Sequence, residues 1–175
     1  MNCKKIIYLI LLAPILSIPA SLSARTSVAE WRVATPAELT AILPARAPVG
    51  NEHIETEMRT ASGVTDGKGK FIAGVVLITA GYSADGKYSH FFLSQVPLRI
   101  NAFILRPGQY AIGWHREGDA LAVGFYEAAT GKLVGTVSAT RTAGSRVVSF
   151  GMTPPGGRPR ILIGRFSFEY QLAPN

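Results

Sequence analysis

The sequence predicts an all-β fold: an antiparallel meander of about eight or nine strands that forms a small barrel or a β-sandwich. From residue 52 onward, short runs rich in Val, Ile, Phe, Tyr and Thr alternate with turn residues every 8–14 positions. No run after residue 45 is both long and helical in period. Short connections make neighbouring strands antiparallel, and a meander of this length has to close or fold over to hide its edges.

Turns that contain glycine separate the predicted strands, and each glycine can supply a positive φ where the turn needs one. The predicted strands cover residues 52–62, 70–81, 88–96, 98–105, 109–116, 120–127, 132–141, 146–152 and 160–171. Glycine also stands between apolar residues inside the strands, as at Gly74 and Gly151. Because glycine weakens a strand, its repeated use there indicates strong coiling or the close approach of another backbone.

The N-terminus predicts a secretory signal peptide over residues 1–24. Two lysines precede an apolar run over residues 6–18, and small residues follow it. This order is typical of a signal peptide, with cleavage near Ser23 or Ala24. An uncleaved membrane anchor is the alternative, because no charged residue interrupts the stretch; two prolines within it argue against a stable spanning helix.

Cysteine usage indicates the compartment. Cys3 is the only cysteine and lies within the predicted signal peptide, so the exported chain has no thiol and no disulfide. Small extracellular domains of higher organisms usually depend on disulfides. We therefore expect a bacterial protein that is secreted or periplasmic, with no transmembrane helix after cleavage.

A lead-in over residues 25–51 connects the signal peptide to the domain and contains one short helix. Thr35 is a suitable N-cap, Pro36 suits the first helical position, and Glu38 completes a capping box. Two prolines that follow closely keep the helix short. Residues 52–175 then form a single β-domain.

The charge of the chain restricts the class of partner. Removing the two signal-peptide lysines from 18 basic residues leaves 16 against 11 acidic ones, a net charge of +5. The basic residues concentrate after residue 128, and a basic patch attracts anionic surfaces. Because an exported protein rarely meets nucleic acid, the expected partners are the envelope surface, an anionic glycan or a small apolar ligand.

No catalytic motif is present: the sequence lacks a nucleophile elbow, a zinc-protease helix, a phosphate-binding loop and a dinucleotide fingerprint. His53, His90 and His115 lie on three different strands without local ligand spacing, so we expect no metal and no cofactor. The sequence favours a non-catalytic binding or accessory module for an apolar ligand, a glycan or a protein. The alternative is a small envelope hydrolase that uses dispersed residues such as His90, His115, Glu127 and Glu169.

Residues 105–113 contain the sequence Pro-Gly-Gln-Tyr immediately before a predicted strand. This segment resembles the Pro-Gly-x-Tyr strand start of transthyretin-like and carboxypeptidase-regulatory-like sandwich domains. The resemblance implies an extracellular β-domain and brings no catalytic residue with it.

Hairpin registers predict a strip of small residues across three strands. A two-residue loop at Glu117 and Gly118 pairs Arg116 with Asp119. Counting back from that pair places large residues on one face of the hairpin and small residues on the other. A second loop over residues 128–131 continues the small face onto the next strand.

The second loop brings Gly135 opposite Gly124 and completes the strip. We expect the N-terminal helix, a second sheet or a bound ligand to pack directly on it, because glycine permits a close approach. The candidate ligand-binding residues on and beside the strip are Gly113, Trp114, His115, Gly124 and Gly135.

The first prediction concerns processing: the exported protein begins near Arg25. N-terminal sequencing of protein recovered from the periplasm or the medium measures this directly. Recovery of the chain from a membrane fraction with Met1 retained would show that the segment is an anchor instead.

Overall fold

The computed structural model describes residues 30–143 and 147–174. The predicted signal peptide lies outside these residues, so its cleavage and the export of the chain stay predictions. Within the described residues, no helix is long and apolar enough to cross a membrane.

The described residues form fourteen strands and one helix. In chain order these are β1 (Arg32–Val33), α1 (Pro36–Ile42), β2 (Arg46–Val49), β3 (Glu52–Thr65), β4 (Phe71–Leu77), β5 (His90–Ser94), β6 (Leu98–Ile100), β7 (Phe103–Leu105), β8 (Gly108–Glu117), β9 (Ala120–Glu127), β10 (Leu133–Arg141), β11 (Val148–Met152), β12 (Arg160–Gly164), β13 (Phe166–Glu169) and β14 (Gln171–Leu172).

Ten of these strands follow one another in a single sheet, in the order β1-β3-β4-β5-β8-β9-β10-β13-β12-β11, and β2 adds to β3 outside this path. Every pairing among the described strands is antiparallel. The sheet curls into a nearly closed barrel. The all-β prediction is confirmed, and of the two forms it left open the barrel is the observed one.

Two features depart from a simple meander. The β6–β7 hairpin leaves the barrel between β5 and β8 and forms a separate three-stranded sheet with β14. The single strand predicted over residues 98–105 is therefore two strands, because Asn101 turns the chain with a φ of 48°. The second departure is that β13, not β11, lies beside β10. After β10 the chain therefore forms the edge strand β11 first, and β12 and β13 then fill the two positions between β11 and β10.

Side chains close the barrel where β11 meets β3 and β4. The Phe150 ring lies on Gly74, where a Cβ would be 2.5 Å from the ring, so the position requires glycine. The backbone N–H of Met152 donates to Ser62 Oγ at 3.1 Å. We call this junction the seam; these side-chain contacts and bonds join β11 to the β3–β4 edge.

Aromatic rings fill the barrel interior. Phe125 lies at the centre, with ring centroids of Phe92, Phe103 and Phe168 at 5.6–5.9 Å, two of them edge-on. Edge-to-face pairs of this kind stabilise a core beyond the area they bury. The β6–β7 hairpin closes one end of the barrel with fully buried side chains. These are Leu98, Ile100 and Leu105.

A second core lies on the outer face of β4 and β5, beneath α1, β2 and the loop over residues 78–89. Leu39 and Leu43 pack there against Val75 and Phe91. The predicted helix and its capping box are confirmed, since Thr35 accepts a hydrogen bond from the backbone N–H of the third helical residue. β4 and β5 are thus covered on both faces.

The predicted register of the β8–β9 hairpin is wrong. The loop consists of Gly118 and Asp119, and Arg116 pairs with Leu121 instead of Asp119. Gly118 has a φ of 59° and stands first in the loop, which is where a II′ hairpin turn needs a positive φ. The error amounts to an even number of positions, so every residue of the hairpin keeps its predicted face.

The predicted pairing of Gly135 with Gly124 is also wrong. The loop before β10 forms as predicted, since Glu127 N–H donates to the Lys132 carbonyl at 2.9 Å. A β-bulge between Leu133 and Gly135 then shifts the register by one residue. Gly135 consequently pairs with Phe125 and faces the interior, because a one-residue shift reverses the face.

Substitution of Gly113 measures how closely the chain packs on the outer face of β8. A Cβ at this position would lie 2.2 Å from the backbone oxygen of Lys87, so Gly113→Ala is expected to destabilise the fold by roughly 1–3 kcal/mol. The control is Gly151→Ala, whose Cβ would have no neighbour closer than 3.4 Å and which is expected to change stability by less than about 0.5 kcal/mol. Urea unfolding measures both, and equal effects would contradict the close packing.

Candidate functional site

The end of the barrel opposite the β6–β7 hairpin is open and forms a concave cavity of about 580 Å³, which we call the mouth. Its volume falls within the range of small-molecule sites, roughly 300–1,000 Å³. Apolar side chains form most of its wall, and no Asp or Glu lines it among the described residues. The apolar lining residues are Val76, Leu77, Trp114, Leu121, Val147, Val148, Ile163 and Phe166.

Composition, not volume, distinguishes the mouth from a second, polar cleft. A cleft of about 630 Å³ lies over the outer face of β10 and β13, and its wall is mostly polar. Arg160 in that cleft forms an ion pair with Glu169 at 3.5 Å, so part of its charge is already balanced. The mouth instead combines an apolar wall with cations that have no described carboxylate beside them, which makes it the better candidate of the two.

Strand alternation places arginines at the rim. The inward-facing residues of β8 run from Tyr110 through Ile112 and Trp114 to Arg116. Side chains at alternate positions share a face, so the apolar series of this strand ends in a guanidinium at the mouth. β10 repeats the arrangement, with Arg141 at the end of its inward series.

Two large apolar side chains remain exposed at the mouth. Trp114 is 46% exposed and Val147 is 56% exposed, whereas the neighbouring inward residue Ile112 is fully buried. Exposed apolar surface around a concavity is typical of a binding site. Trp114 and Val147 therefore leave area that a ligand can cover.

Two cations of the mouth share one aromatic ring. The guanidinium carbons of Arg116 and Arg141 lie 5.4 Å and 5.8 Å from the centroid of Phe166, within the range of cation–π contact. Arg165 is the third arginine of the lining. Within the described part of the chain, none of these three forms an ion pair with a carboxylate. The rim is therefore electropositive.

A buried histidine forms part of the floor. His90 Nε2 lies 3.0 Å from the Ser149 carbonyl, which only accepts, so the proton of the neutral ring belongs on Nε2. Nδ1 then accepts from the Ser89 hydroxyl at 2.8 Å. Burial lowers the pKa of His90, opposed by the hydrogen bond to Ser149, so the ring is neutral near pH 7. Both ring nitrogens are occupied, and the ring also links β5 to β11 across the seam.

Only Trp114 of the five predicted ligand-binding residues lines the mouth. Gly113 and His115 lie on the outer face of β8, and the Lys87 backbone covers Gly113. The remaining two predicted residues lie on opposite faces of the barrel wall. Gly124 lies under the ring of Tyr126, and Gly135 lies against the ring of Phe103. Ligand binding by these residues stays a prediction.

Sequence reasoning missed the arginines of the rim and their shared ring. Period-2 alternation along residues 110–116 and 137–141 was enough to place Arg116 and Arg141 beside the apolar series. Neither the open end of the barrel nor the presence of Phe166 between the two arginines follows from one strand alone, because both depend on the order of strands in the sheet.

The residues of the hydrolase alternative do not converge. His90 lies in the floor of the mouth, where no carboxylate is present among the described residues, and His115 is exposed on the outer face. Glu127 and Glu169 lie at the other end of the barrel. Across residues 30–143 and 147–174, no group of three potential metal ligands is found.

Comparison with known proteins gives no relative: no protein family, no curated protein and no solved structure matches the chain.

The Pro-Gly-Gln-Tyr segment has a local role in this fold. Tyr110 Oη donates to the Arg106 carbonyl at 2.7 Å and fixes the turn through which the chain begins β8. The residues of the mouth therefore carry the functional proposal.

The titration of His90 predicts a pH-dependent stability. Its pKa is lowered in the folded state from the usual 6.5, so on acidification the unfolded chain takes up the proton first. The stability associated with neutral His90 is fully present above pH 6.5 and is lost as the pH falls toward the folded-state pKa. Urea unfolding between pH 7.5 and pH 5, above the usual carboxylate range, is expected to show this decline.

Matched variants assign the decline to one histidine. His90→Gln is expected to flatten the dependence of the unfolding free energy on pH, because the amide does not titrate. His115→Gln removes an exposed histidine and is expected to retain the slope. An unchanged slope in His90→Gln would rule out His90 as its source.

Proposed function

We propose that the protein is an exported, non-catalytic binding module that holds a small amphipathic molecule in the mouth of its barrel. The observation that carries the proposal is an open apolar concavity with an exposed tryptophan at its edge, in a barrel whose interior is otherwise filled. A tryptophan side chain can bury about 150–250 Å². Since Trp114 is still 46% exposed, much of that area is available to a ligand.

The chemistry of the floor favours binding over reaction. A general base needs a pKa near the working pH and a proton within its reach. Burial lowers the pKa of His90, and its ring nitrogens are engaged by Ser89 and Ser149. The described lining of the mouth offers no carboxylate that could orient the His90 ring or stabilise its protonated form.

A small ligand fits the mouth better than a protein partner or a glycan. Leu121 and Ile163 line the cavity but are recessed and almost fully buried, so a flat protein surface would not reach them. A glycan needs many hydrogen-bonding groups, and in the floor the His90 ring nitrogens, the Ser89 hydroxyl and the Ser149 carbonyl already bond to one another. An alkyl chain requires no hydrogen-bonding group from the protein.

Dodecanoate below its micelle concentration is a suitable test ligand, with binding measured by isothermal titration calorimetry. One molecule is expected to bind per chain with a negative heat-capacity change, which is the sign of apolar burial. Trp114→Ala is expected to weaken binding at least tenfold. Equal binding by wild type and Trp114→Ala would place the ligand elsewhere.

A pair of matched truncations locates the site more finely. Val147→Ser removes apolar area from the mouth and is expected to weaken dodecanoate about fivefold, which corresponds to about 1 kcal/mol of lost burial. Leu133→Ser is the control, because Leu133 is similarly exposed at 50% but lies at the other end of the barrel. It is expected to leave the affinity unchanged, and an equal loss in both variants would contradict the assignment.

A further inference from the structure

The arginines at the rim of the mouth indicate which head group its ligand has. We infer that it selects a free amphiphile with one negatively charged acid head, of the alkyl carboxylate class, over neutral and cationic amphiphiles of the same chain length. This inference deepens the proposed function and rests on it.

Unbalanced positive charge is the first argument. Arg116 and Arg141 come from different strands, yet both lie over the ring of Phe166, and no described carboxylate lines the mouth. Two like charges held near one apolar ring repel each other, and an anion placed between them relieves that repulsion. Guanidinium groups match the planar, two-oxygen geometry of a carboxylate.

The separation of apolar and charged residues is the second argument. Arginines stand at the exposed rim, whereas Leu121 and Ile163 are recessed beneath it. Both nitrogens of the His90 ring are bonded within the protein, so the floor leaves no ring nitrogen for a polar end group. A bound amphiphile is therefore oriented, with its chain toward the floor and its head toward the arginines.

Concavity distinguishes a free molecule from a lipid surface. An anionic bilayer presents the same head-group chemistry, but a flat surface would contact only the rim and leave the recessed residues uncovered. A single alkyl chain can enter the concavity toward Leu121 and Ile163 while its head remains beside Arg116, since all three residues line it. We therefore assign the mouth to a free amphiphile.

Three ligands with the same twelve-carbon chain test the selectivity: dodecanoate, dodecanol and dodecyltrimethylammonium, each titrated below its aggregation limit. Dodecanoate is expected to bind at least tenfold more tightly than dodecanol, and the cation more weakly than both. Raising sodium chloride from 0.05 M to 0.5 M is expected to weaken dodecanoate severalfold and to spare dodecanol, because salt screens the exposed arginines. This salt comparison uses the wild-type protein alone.

Charge-matched variants locate the selectivity. Arg116→Gln/Arg141→Gln is expected to lower dodecanoate affinity to that of dodecanol and to leave dodecanol binding within twofold. The control is Arg99→Gln/Arg158→Gln, which removes the same charge from exposed arginines outside the mouth and is expected to retain the tenfold preference. Urea unfolding confirms that each variant is folded.

The outcomes separate this inference from the proposed function. Equal affinity for all three ligands, with loss in Trp114→Ala, would overturn the head-group selectivity and retain the binding module. Failure of all three to bind would overturn both. Sedimentation with phosphatidylglycerol vesicles in the absence of dodecanoate binding would assign the mouth to a membrane surface and overturn the choice of a free amphiphile.

Discussion

Closure of the barrel depends on the contact between the Phe150 ring and the backbone of Gly74. The last three barrel strands are joined to the rest of the sheet on one side only, through the pairing of β13 with β10. On the other side, β11 meets β3 and β4 through the seam. The space left by the missing side chain of Gly74 lets the ring approach to contact distance, and the bonds at Ser62 and Ser149 set the height of β11 along the barrel. The strand order and the seam together turn a curled sheet into an enclosed container.

The mouth is a consequence of that closure. Trp114 stands on β8, while Phe166 and Val147 belong to the part of the chain that the seam holds in place. Phe166 is placed beside Arg141 by the pairing of β13 with β10. Without the seam, however, these residues would border an open groove. The same contact that completes the core therefore also completes the candidate site, so stability and binding are linked at Phe150.

The sequence was sufficient for the local features of the fold. The capping box at Thr35 and the glycine turns predicted the helix and the strands because each is decided within a few residues. Of the two register errors, the one at Gly118 lies in a local choice between two adjacent two-residue loops, and the one at Gly135 arose where tertiary packing decides the register. The bulge before Gly135 turns that glycine toward the Phe103 ring, which fills the space beside it. Phe103 belongs to a separate sheet, so this contact cannot be read from the β9–β10 hairpin alone. Of the residues that line the mouth, the sequence predicted only Trp114 as a ligand-binding residue. The others could not be predicted, because the position of the open end depends on the order of all the strands in the barrel.

The double cover of β4 and β5 has a consequence for how the chain reaches this structure. Residues 71–77 and 91–93 are apolar on both faces, and strands of that kind associate with each other when they are uncovered. In this chain α1 and β2, which form part of their outer cover, precede them and are synthesised first. The segment that shields the strands from self-association is thus already present when they emerge. We therefore expect the short helix α1 to limit aggregation of β4 and β5 during folding, in addition to its packing in the finished core.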